Sequence, residues 1–432
     1  MAKTYDTYKD SGIAWIGEIP GDWRVGLVGK YFKEINNPNI NQEETNTLQF
    51  KMGEIISKSK GDSKYSPETI EAYNVVEPGT IMINGLNLSF DLISQRVAQV
   101  RERGAITSTY LAIWPTNGMK SDYAKYLLKA YDNNKALHAM GRGLRATLSY
   151  RTFRSEPILI PTAEEQQSIS SFLDTKCGEI DSLISIQEEM ISELLAYKQS
   201  VITEAVTKGL DKKAKMKNSG VEWIGDIPEE WEVQKLRTLG WCQNGISKSG
   251  DYFGEDYEYP FVSYPDAYKN FEVPYPKGRA NSTLEDRQRY SLVKGDVLFT
   301  RTSETIEEIG FASTCTETIP NAVFSGFLIR FRPTSSKIYY GYSKYFFRSV
   351  IHRAFFVKEM NLVTRASLSQ DLLKNLPVVL PTIEEQQAIA TYLDEKTSQI
   401  DSLIALKQSK IESLKEYKKS IIYEYVTGKK RV

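Results

Sequence analysis

The chain has little of what metal and redox chemistry needs. Its 432 residues include three cysteines, Cys177, Cys242 and Cys315, and two histidines, His138 and His352. The cysteines are isolated and odd in number, so disulfides and a compartment foreign to the cytosol are not expected. Neither histidine lies near a cysteine, so no zinc site is expected. No apolar run approaches the roughly 18 residues of a membrane span, and the first ten residues are too polar for a signal peptide. Net charge is missing as well: 55 basic residues balance 55 acidic ones. Any nucleic-acid face must therefore be a local patch.

Catalytic signatures are also lacking. There is no G-x-x-x-x-G-K-[ST] loop, which excludes an ATP motor. No Asp/Asn-Pro-Pro-aromatic segment of the amino-methyltransferase kind occurs, and the nearest string, Asn37-Pro38-Asn39-Ile40, fails the pattern. A nuclease metal site needs paired carboxylates beside a lysine on a strand. Pro265-Asp266 lacks the companion Glu-x-Lys, and Glu416-Tyr417-Lys418 falls in a helical segment. No catalytic residue and no metal ligand is expected in this chain.

What is there is an internal repeat. Residues 161–207 recur at 381–427, without a gap, and agree at 24 of 47 positions. So long a period means two tandem halves, because solenoid repeats run roughly 20–50 residues. Each copy reads as one helix. Pro161, Thr162 and Glu165, and again Pro381, Thr382 and Glu385, spell a capping box, while Gly209 and Gly428 supply a left-handed stop. Apolar residues fall every seven at Leu173, Ile180, Leu194 and Val201, and at Leu393, Ile400, Leu414 and Ile421. An alternate seam adds Ile184, Ile191 and Ala205, and Ile404, Ile411 and Tyr425, broken by Gln187 and Lys407. Such a sustained 3.5-residue period predicts a coiled coil, most simply one copy against the other within the chain. A bundle inside some larger helical domain is the alternative. Each rod spans about 70 Å at ~1.5 Å per residue.

A second repeat opens each half. DSGIAWIGEIPGDWRV at 10–25 returns as NSGVEWIGDIPEEWEV at 218–233, matching at nine of sixteen positions, with Trp15 over Trp223 and Trp23 over Trp231. Two tryptophans around an Ile-Pro turn read as a packing anchor for the start of each half. Lys212, Lys213, Lys215 and Lys217 mark the join between halves. Between these fixed ends the halves diverge, and the offset climbs from 208 to 220, so the second half carries 12 extra residues. The organisation is a mixed α/β chain of two like globules, residues 1–160 and 218–380, with helical spacers 161–208 and 381–428 and a linker at 209–217.

Recognition tends to sit on loops of such scaffolds. In the first half Asn84, Asn87, Gln95 and Arg96, and in the second Asn244, Lys248, Arg301 and Ser303, carry amide, guanidinium and hydroxyl groups suited to base edges in a major groove. Polar loops are also the ordinary surface of any protein. Basic strips with interleaved aromatics end each globule and suit phosphate contact. They hold Arg142, Arg145, Arg151 and Arg154 with Tyr150 and Phe153, and Lys344, Arg348, Arg353, Lys358 and Arg365 with Phe355 and Phe356. A purely structural role competes for these residues. Apolar strands at 157–161 (PILIP) and 377–381 (PVVLP) then feed the helices.

Three motifs, each present twice in order, W-I-G-[ED]-I-P, R-A-[TS]-L-S and P-T-x-E-E-Q-Q-x-I, give the whole chain a resemblance to the DNA-specificity subunit of type I restriction-modification systems. The resemblance implies two target-recognition domains and two helical spacers paired antiparallel. It further implies a bipartite, asymmetric double-stranded DNA site, one half per domain. Two adenine-N6 methyltransferase subunits and motor-nuclease subunits would be the partners, in the prokaryotic cytoplasm. S-adenosylmethionine, ATP and Mg²⁺ are then expected on those partners and none on this chain. Like modules on one face of B-DNA sit about one turn, roughly 34 Å, or a multiple apart, a separation such rods can set. A scaffold with protein partners only, or a methylation-only specificity protein, are the competing readings.

Overall fold

The computed structural model describes residues 4–51, 53–58, 70–88, 95–141, 146–248, 250–303, 308–359 and 366–432. Each repeated segment folds as one unbroken helix, Ala163–Lys208 and Ile383–Val426. Both begin at the expected capping box. The Glu165 amide donates to Thr162 Oγ1 at 3.2 Å and the Thr162 amide to Glu165 Oε2 at 3.4 Å, and Thr382 and Glu385 repeat the exchange. Both end on a left-handed glycine, Gly209 at φ 75° and Gly428 at φ 71°. Among the described residues no helix is long and apolar enough to cross a membrane.

The chain divides into two compact units, Met1–Glu188 with Gln408–Val432, and Glu189–Lys407. Each unit therefore holds one globule, the first half of the helix that follows it, and the last half of the other helix. In the first unit Leu173 and Ile180 share a core with Leu414, Ile421, Ile422 and Val426, so the start of one spacer lies against the end of the other. In the second unit Val201, Ile202, Ala205 and Val206 share a core with Ile389 and Leu393. The register repeats too. Lys418 Nζ reaches Asp181 at 2.6 Å in the first unit and Lys198 Nζ reaches Asp401 at 2.7 Å in the second. The partners' numbers sum to the same value in both, as antiparallel pairing requires. Surface pairs of this kind contribute about 0.2–1 kcal/mol. Their value here is as markers of alignment, while burial supplies the energy.

The seam is deeper on one helix than on the other. Leu393, Ile400, Ile404, Ile411, Leu414 and Ile421 are all buried, as are Leu173, Ile180 and Val201, whereas Ile184, Ile191 and Leu194 are half-buried. At the polar break, Lys407 Nζ lies 3.4 Å from Met190 Sδ.

Each globule is built on a four-stranded antiparallel sheet with the same strand order. The first runs Phe32–Glu34, Leu111–Pro115, Ile81–Ile83, Val97–Gln99, and the second Gly240–Asn244, Leu328–Pro333, Val297–Thr300, Ala312–Thr314. A helix follows the last chain segment of each sheet, Ser121–Asn133 and Tyr340–Phe346. The apolar strands Pro157–Ile160 and Pro377–Leu380 pair with Arg24–Leu27 and Glu232–Lys235 before entering the spacers. The tryptophan segments form hairpins, Tyr8–Asp10 with Glu18–Pro20 and Met216–Asn218 with Asp226–Pro228, so the stretch read as a linker is already strand by Met216.

Several of the repeated letters prove to be the fastenings between globule and helix. Trp23 and Trp231 are fully buried and donate from Nε1 to the capping carboxylates Glu165 and Glu385, at 3.1 and 3.2 Å. Gln166 accepts from the Lys120 amide at 2.8 Å and Gln386 from the Tyr339 amide at 2.7 Å. Asp174 receives Lys125 Nζ and Tyr126 OH, both at 2.7 Å, and Asp394 receives Lys344 Nζ at 2.5 Å and Tyr345 OH at 2.8 Å. Lys344 also reaches Glu272 at 2.7 Å, which corrects its reading as part of a phosphate-contacting strip. The buried tyrosines Tyr123 and Tyr342 donate to the carbonyls of Val426 and Val206 in the last turn of a spacer helix.

Deleting Gln408–Val432 would strip Leu414, Ile421, Ile422 and Val426 from the first core. At roughly 1.5–3 kcal/mol for each buried side chain, the loss rivals the ~5–15 kcal/mol stability of a typical protein. Hydrogen exchange of the truncated chain should show the first globule unprotected while the sheet of the second, which takes nothing from the deleted segment, keeps its protection.

Candidate nucleic-acid interface

The loops nominated from the sequence converge on one end of each sheet. In the first globule the strand Ile81–Ile83 runs out into Asn84–Leu88, and the neighbouring strand Val97–Gln99 is preceded by Gln95 and Arg96. The Asn84 amide donates to the Arg96 carbonyl at 2.8 Å. The R-A-T-L-S segment returns to the same place, where the Leu148 amide donates to Gly85 O at 2.9 Å and the Leu88 amide to Ala146 O at 3.1 Å. A Cβ on Gly85 would meet Leu148 at 2.9 Å, so the loop and its brace are closely fitted.

The second globule repeats the plan with other side chains. The strand Val297–Thr300 runs out into Arg301, Thr302 and Ser303, and Thr302–Ser303 pairs with Ala366–Ser367. The Leu368 amide donates to Arg301 O at 2.8 Å, the counterpart of the Leu148 bond. Asn244 closes the strand Gly240–Asn244, and the turn Ser325–Phe327 opens the strand Leu328–Pro333 at the same end. R-A-[TS]-L-S is thus a brace for the loop after the central strand.

The placement sorts the nominated residues. Asn87 and Gln95 are exposed and Asn84 is half-buried, its Oδ1 accepting from the Leu86 amide. Arg96 is corrected: it is 1% exposed and spends its guanidinium on the carbonyls of Asn84 at 3.0 Å, Leu86 at 2.7 Å and Asn87 at 3.5 Å, with Nε on His138 Nε2 at 3.3 Å. It shapes the loop from inside and has no face to offer a base. Asn244 is half-buried against the Gln370 amide at 3.0 Å. Lys248 is exposed over the Tyr252 ring and paired with Asp286 at 2.9 Å. Burial raises the Asp286 carboxyl, but hydrogen bonds from Lys248, the Thr283 amide and Tyr252 outweigh it and hold the group well below the usual carboxylate range. Arg301 and Ser303 are half-exposed, Arg301 Nη1 lying 3.4 Å from Gly326 O.

Of the residues nominated for phosphate, Arg151 and Arg154 are exposed, whereas Arg142, Arg145 and Arg365 lie outside the described residues. Arg348 and Arg353 are corrected. Arg348 donates to the carbonyls of Ala267, Ala312 and Tyr268 at 3.3, 3.2 and 2.6 Å and stacks on Phe311 at 4.6 Å. Arg353 donates to Ile309 O and lies between Phe311 and Phe356. Burial lowers both guanidiniums to about 10, still charged at neutral pH. The aromatics of the strips are core: Phe153, Phe355 and Phe356 are buried, and Tyr150 donates to Phe32 O at 2.7 Å. Arginine alternating with phenylalanine was the signature of buried stacking.

One side chain the sequence reading passed over is Phe327, which is 62% exposed at the tip of its turn. The signal for it was the pair Ser108-Thr109-Tyr110-Leu111 and Ser325-Gly326-Phe327-Leu328, one aromatic before the same strand in each half. Among the described residues no group of three or more His, Cys, Asp or Glu gathers as a metal site would need.

Residues 228–416 match the family described as Type I restriction modification DNA specificity domain. That stretch, which spans the second globule and most of the spacer after it, is similar to the type I specificity domain. Over its whole length the chain is 25% identical to the Type I restriction enzyme MjaVIII specificity subunit of Methanocaldococcus jannaschii, covering 96% of this chain and 94% of that protein. It is 23% identical to the putative MjaX specificity subunit of the same organism, covering 96% of each. Its fold is that of a chain solved in work on complex assembly and conformational transition of the type I R-M system, with a TM-score of 0.71 at 15% identity, covering 95% of this chain and 99% of the other. The mixed α/β fold expected from the three repeated motifs is the fold found, and type I specificity subunits are what the chain is similar to along its length.

Arg96→Met should cost the fold on the order of 3 kcal/mol, because it strands buried carbonyls that a guanidinium satisfies. Arg348→Met should do the same, while Gln95→Ala and Arg154→Ala, both on the surface, should stay within about 0.5 kcal/mol of the parent in denaturant titration.

Proposed function

We propose that this chain is the reading and scaffolding subunit of a type I restriction-modification complex. It contacts a bipartite, asymmetric duplex DNA site, one half per globule, and performs no chemistry itself. Two adenine-N6 methyltransferase subunits and the motor-nuclease subunits carry the catalysis, together with the S-adenosylmethionine, ATP and Mg²⁺ it needs. The observation that carries this reading is the division of labour within each globule. Trp, Glu, Gln and Asp residues shared by the halves fasten globule to helix, and Asn87 and Gln95 in one globule and Arg301 and Ser303 in the other, which differ, lie at the same sheet end.

Asn87, Gln95, Arg151 and Arg154 in the first globule and Lys248, Arg301 and Ser303 in the second combine amides, a hydroxyl and cations, a set that serves base edges and phosphates together. Because the two sets are unlike, the two half-sites should be unlike.

A few shared residues are not engaged in fastening, and they support docking of the same partner twice. Leu183 and Leu403 are 46% and 47% exposed, and Tyr197 and Tyr417 are each 57% exposed. Leu183 and Tyr417 flank the Asp181–Lys418 pair in the first unit, and Tyr197 and Leu403 flank the Lys198–Asp401 pair in the second. Each unit thus presents one identical Leu–Tyr spot beside its helix pair, suited to an apolar anchor on a partner.

Methylome sequencing of the host should show adenine methylation at a two-part motif. Replacing residues 26–140 with the matching part of a relative should change one half of that motif and leave the other, and unchanged selectivity would remove the reading. In binding titrations, Arg154→Ala should weaken all duplexes alike and lower the slope of log affinity against log salt by about 1. Leu183→Glu with Leu403→Glu should abolish co-purification of the methyltransferase subunits without unfolding the chain.

A further inference from the structure

Tyr110 and Phe327 occupy the same position in the two globules, one residue before the strands Leu111–Pro115 and Leu328–Pro333. Their fates differ. The Tyr110 ring lies 5.6 Å from Phe50 and packs on the small core beneath it. Phe327 stands 62% exposed at the sheet end that carries Arg301, Ser303 and Lys248.

A single exposed apolar side chain is ordinary on a protein surface. The backbone under this one is not ordinary, because it is held at every residue. Ser325 N donates to Val262 O at 3.0 Å, Gly326 N to Ile246 O at 2.7 Å and Phe327 N to Ser325 Oγ at 3.2 Å, and Phe327 O accepts from the Arg301 amide at 2.9 Å. Gly326 is confined: a Cβ there would meet Ser247 Oγ at 2.2 Å and Ile246 O at 2.9 Å. Such a turn fixes the backbone beneath the ring. It presents an apolar side chain to solvent at the sheet end that carries cationic and hydroxyl groups, with only the side-chain torsions left to order on contact.

A rigid apolar ring amid phosphate- and base-seeking groups is the equipment of proteins that wedge into a base stack, where a Phe or Leu enters a step and partly unstacks it. We propose that Phe327 is such a wedge. On binding it enters a base step of the half-site read by the second globule, while the first globule, with Tyr110 packed down, leaves its half-site stacked. The inference rests on the DNA reading proposed above and adds to it the physical means by which one half is recognised. A flexible pyrimidine–purine step is the cheapest to open, so the second half-site should contain one.

The test uses the full chain with its methyltransferase subunits and duplexes carrying the methylated motif, with 2-aminopurine placed at successive positions of either half. Apart from the target adenines, which methyltransferase subunits extrude in either half, wild type should raise the fluorescence at one step, in the second globule's half only. Phe327→Ala should abolish that rise and weaken binding roughly 10- to 100-fold, with the salt slope unchanged because no phosphate contact is lost. Phe327→Trp should keep the signal. Since the side chain is exposed, the thermal melt of Phe327→Ala should match that of the parent. Specific binding with no fluorescence change beyond the target adenines, or Phe327→Ala binding as wild type does, would overturn the wedge and leave the DNA reading standing. Equal binding to all duplexes would remove the reading and the wedge with it.

Discussion

A helix must end somewhere, and its last carbonyls need partners. Here Tyr123 and Tyr342, each wholly buried, donate their hydroxyls to Val426 O and Val206 O. Burial pushes both hydroxyls well above the usual tyrosine range, so they stay protonated and remain donors. Leaving Tyr123 without its acceptor would cost roughly 1–3 kcal/mol, before counting the apolar side chains around it. Tyr342 also donates to Val379 O at 3.0 Å, so at that end the apolar contacts of Val201, Ile202, Ala205 and Val206 carry the requirement. Each globule is therefore complete only when the last turn of a spacer helix is seated in it. For the second globule that turn immediately precedes it in sequence, and for the first it comes from the far end of the chain.

This requirement accounts for the direction of the helices. The start of each spacer is fastened to its own globule by the Trp–Glu bond and the Gln and Asp contacts, so the end that fills the core must arrive running the other way. The heptad seam then has a partner of fixed polarity, and the Asp181–Lys418 and Lys198–Asp401 pairs report the same register twice. Tandem duplication of one globule-plus-helix block satisfies every one of these contacts with a single set of letters.

The parts legible in the sequence were those that repetition had written twice. The capping boxes, the glycine stops, the seam, the aromatic anchors and the two-globule plan follow from patterns with a local physical cause, and the fold bears them. That the nominated loops meet at one sheet end was legible, but the burial of single residues was not. Asn87 and Gln95 stand on the surface as expected, but Arg96 turned inward to bind three carbonyls, and Arg348 and Arg353 turned inward onto phenylalanines. An arginine's letter is the same whether its guanidinium meets phosphate or a buried carbonyl, and only the surrounding fold decides. Phe327 was missed for the opposite reason: an aromatic before a strand reads as core, and its exposure depends on the glycine turn that holds it out.

The most direct measurement of the central claim is site-directed cross-linking along the helix pair. In full-length protein with Cys177, Cys242 and Cys315 replaced by alanine, Asp181→Cys and Lys418→Cys should join through a short bismaleimide. Antiparallel pairing requires that link and forbids an equally efficient one between Asp181→Cys and Asp401→Cys, the positions that parallel helices would bring face to face. Efficient coupling of 181 to 401, with none of 181 to 418, would contradict the pairing on which both cores depend.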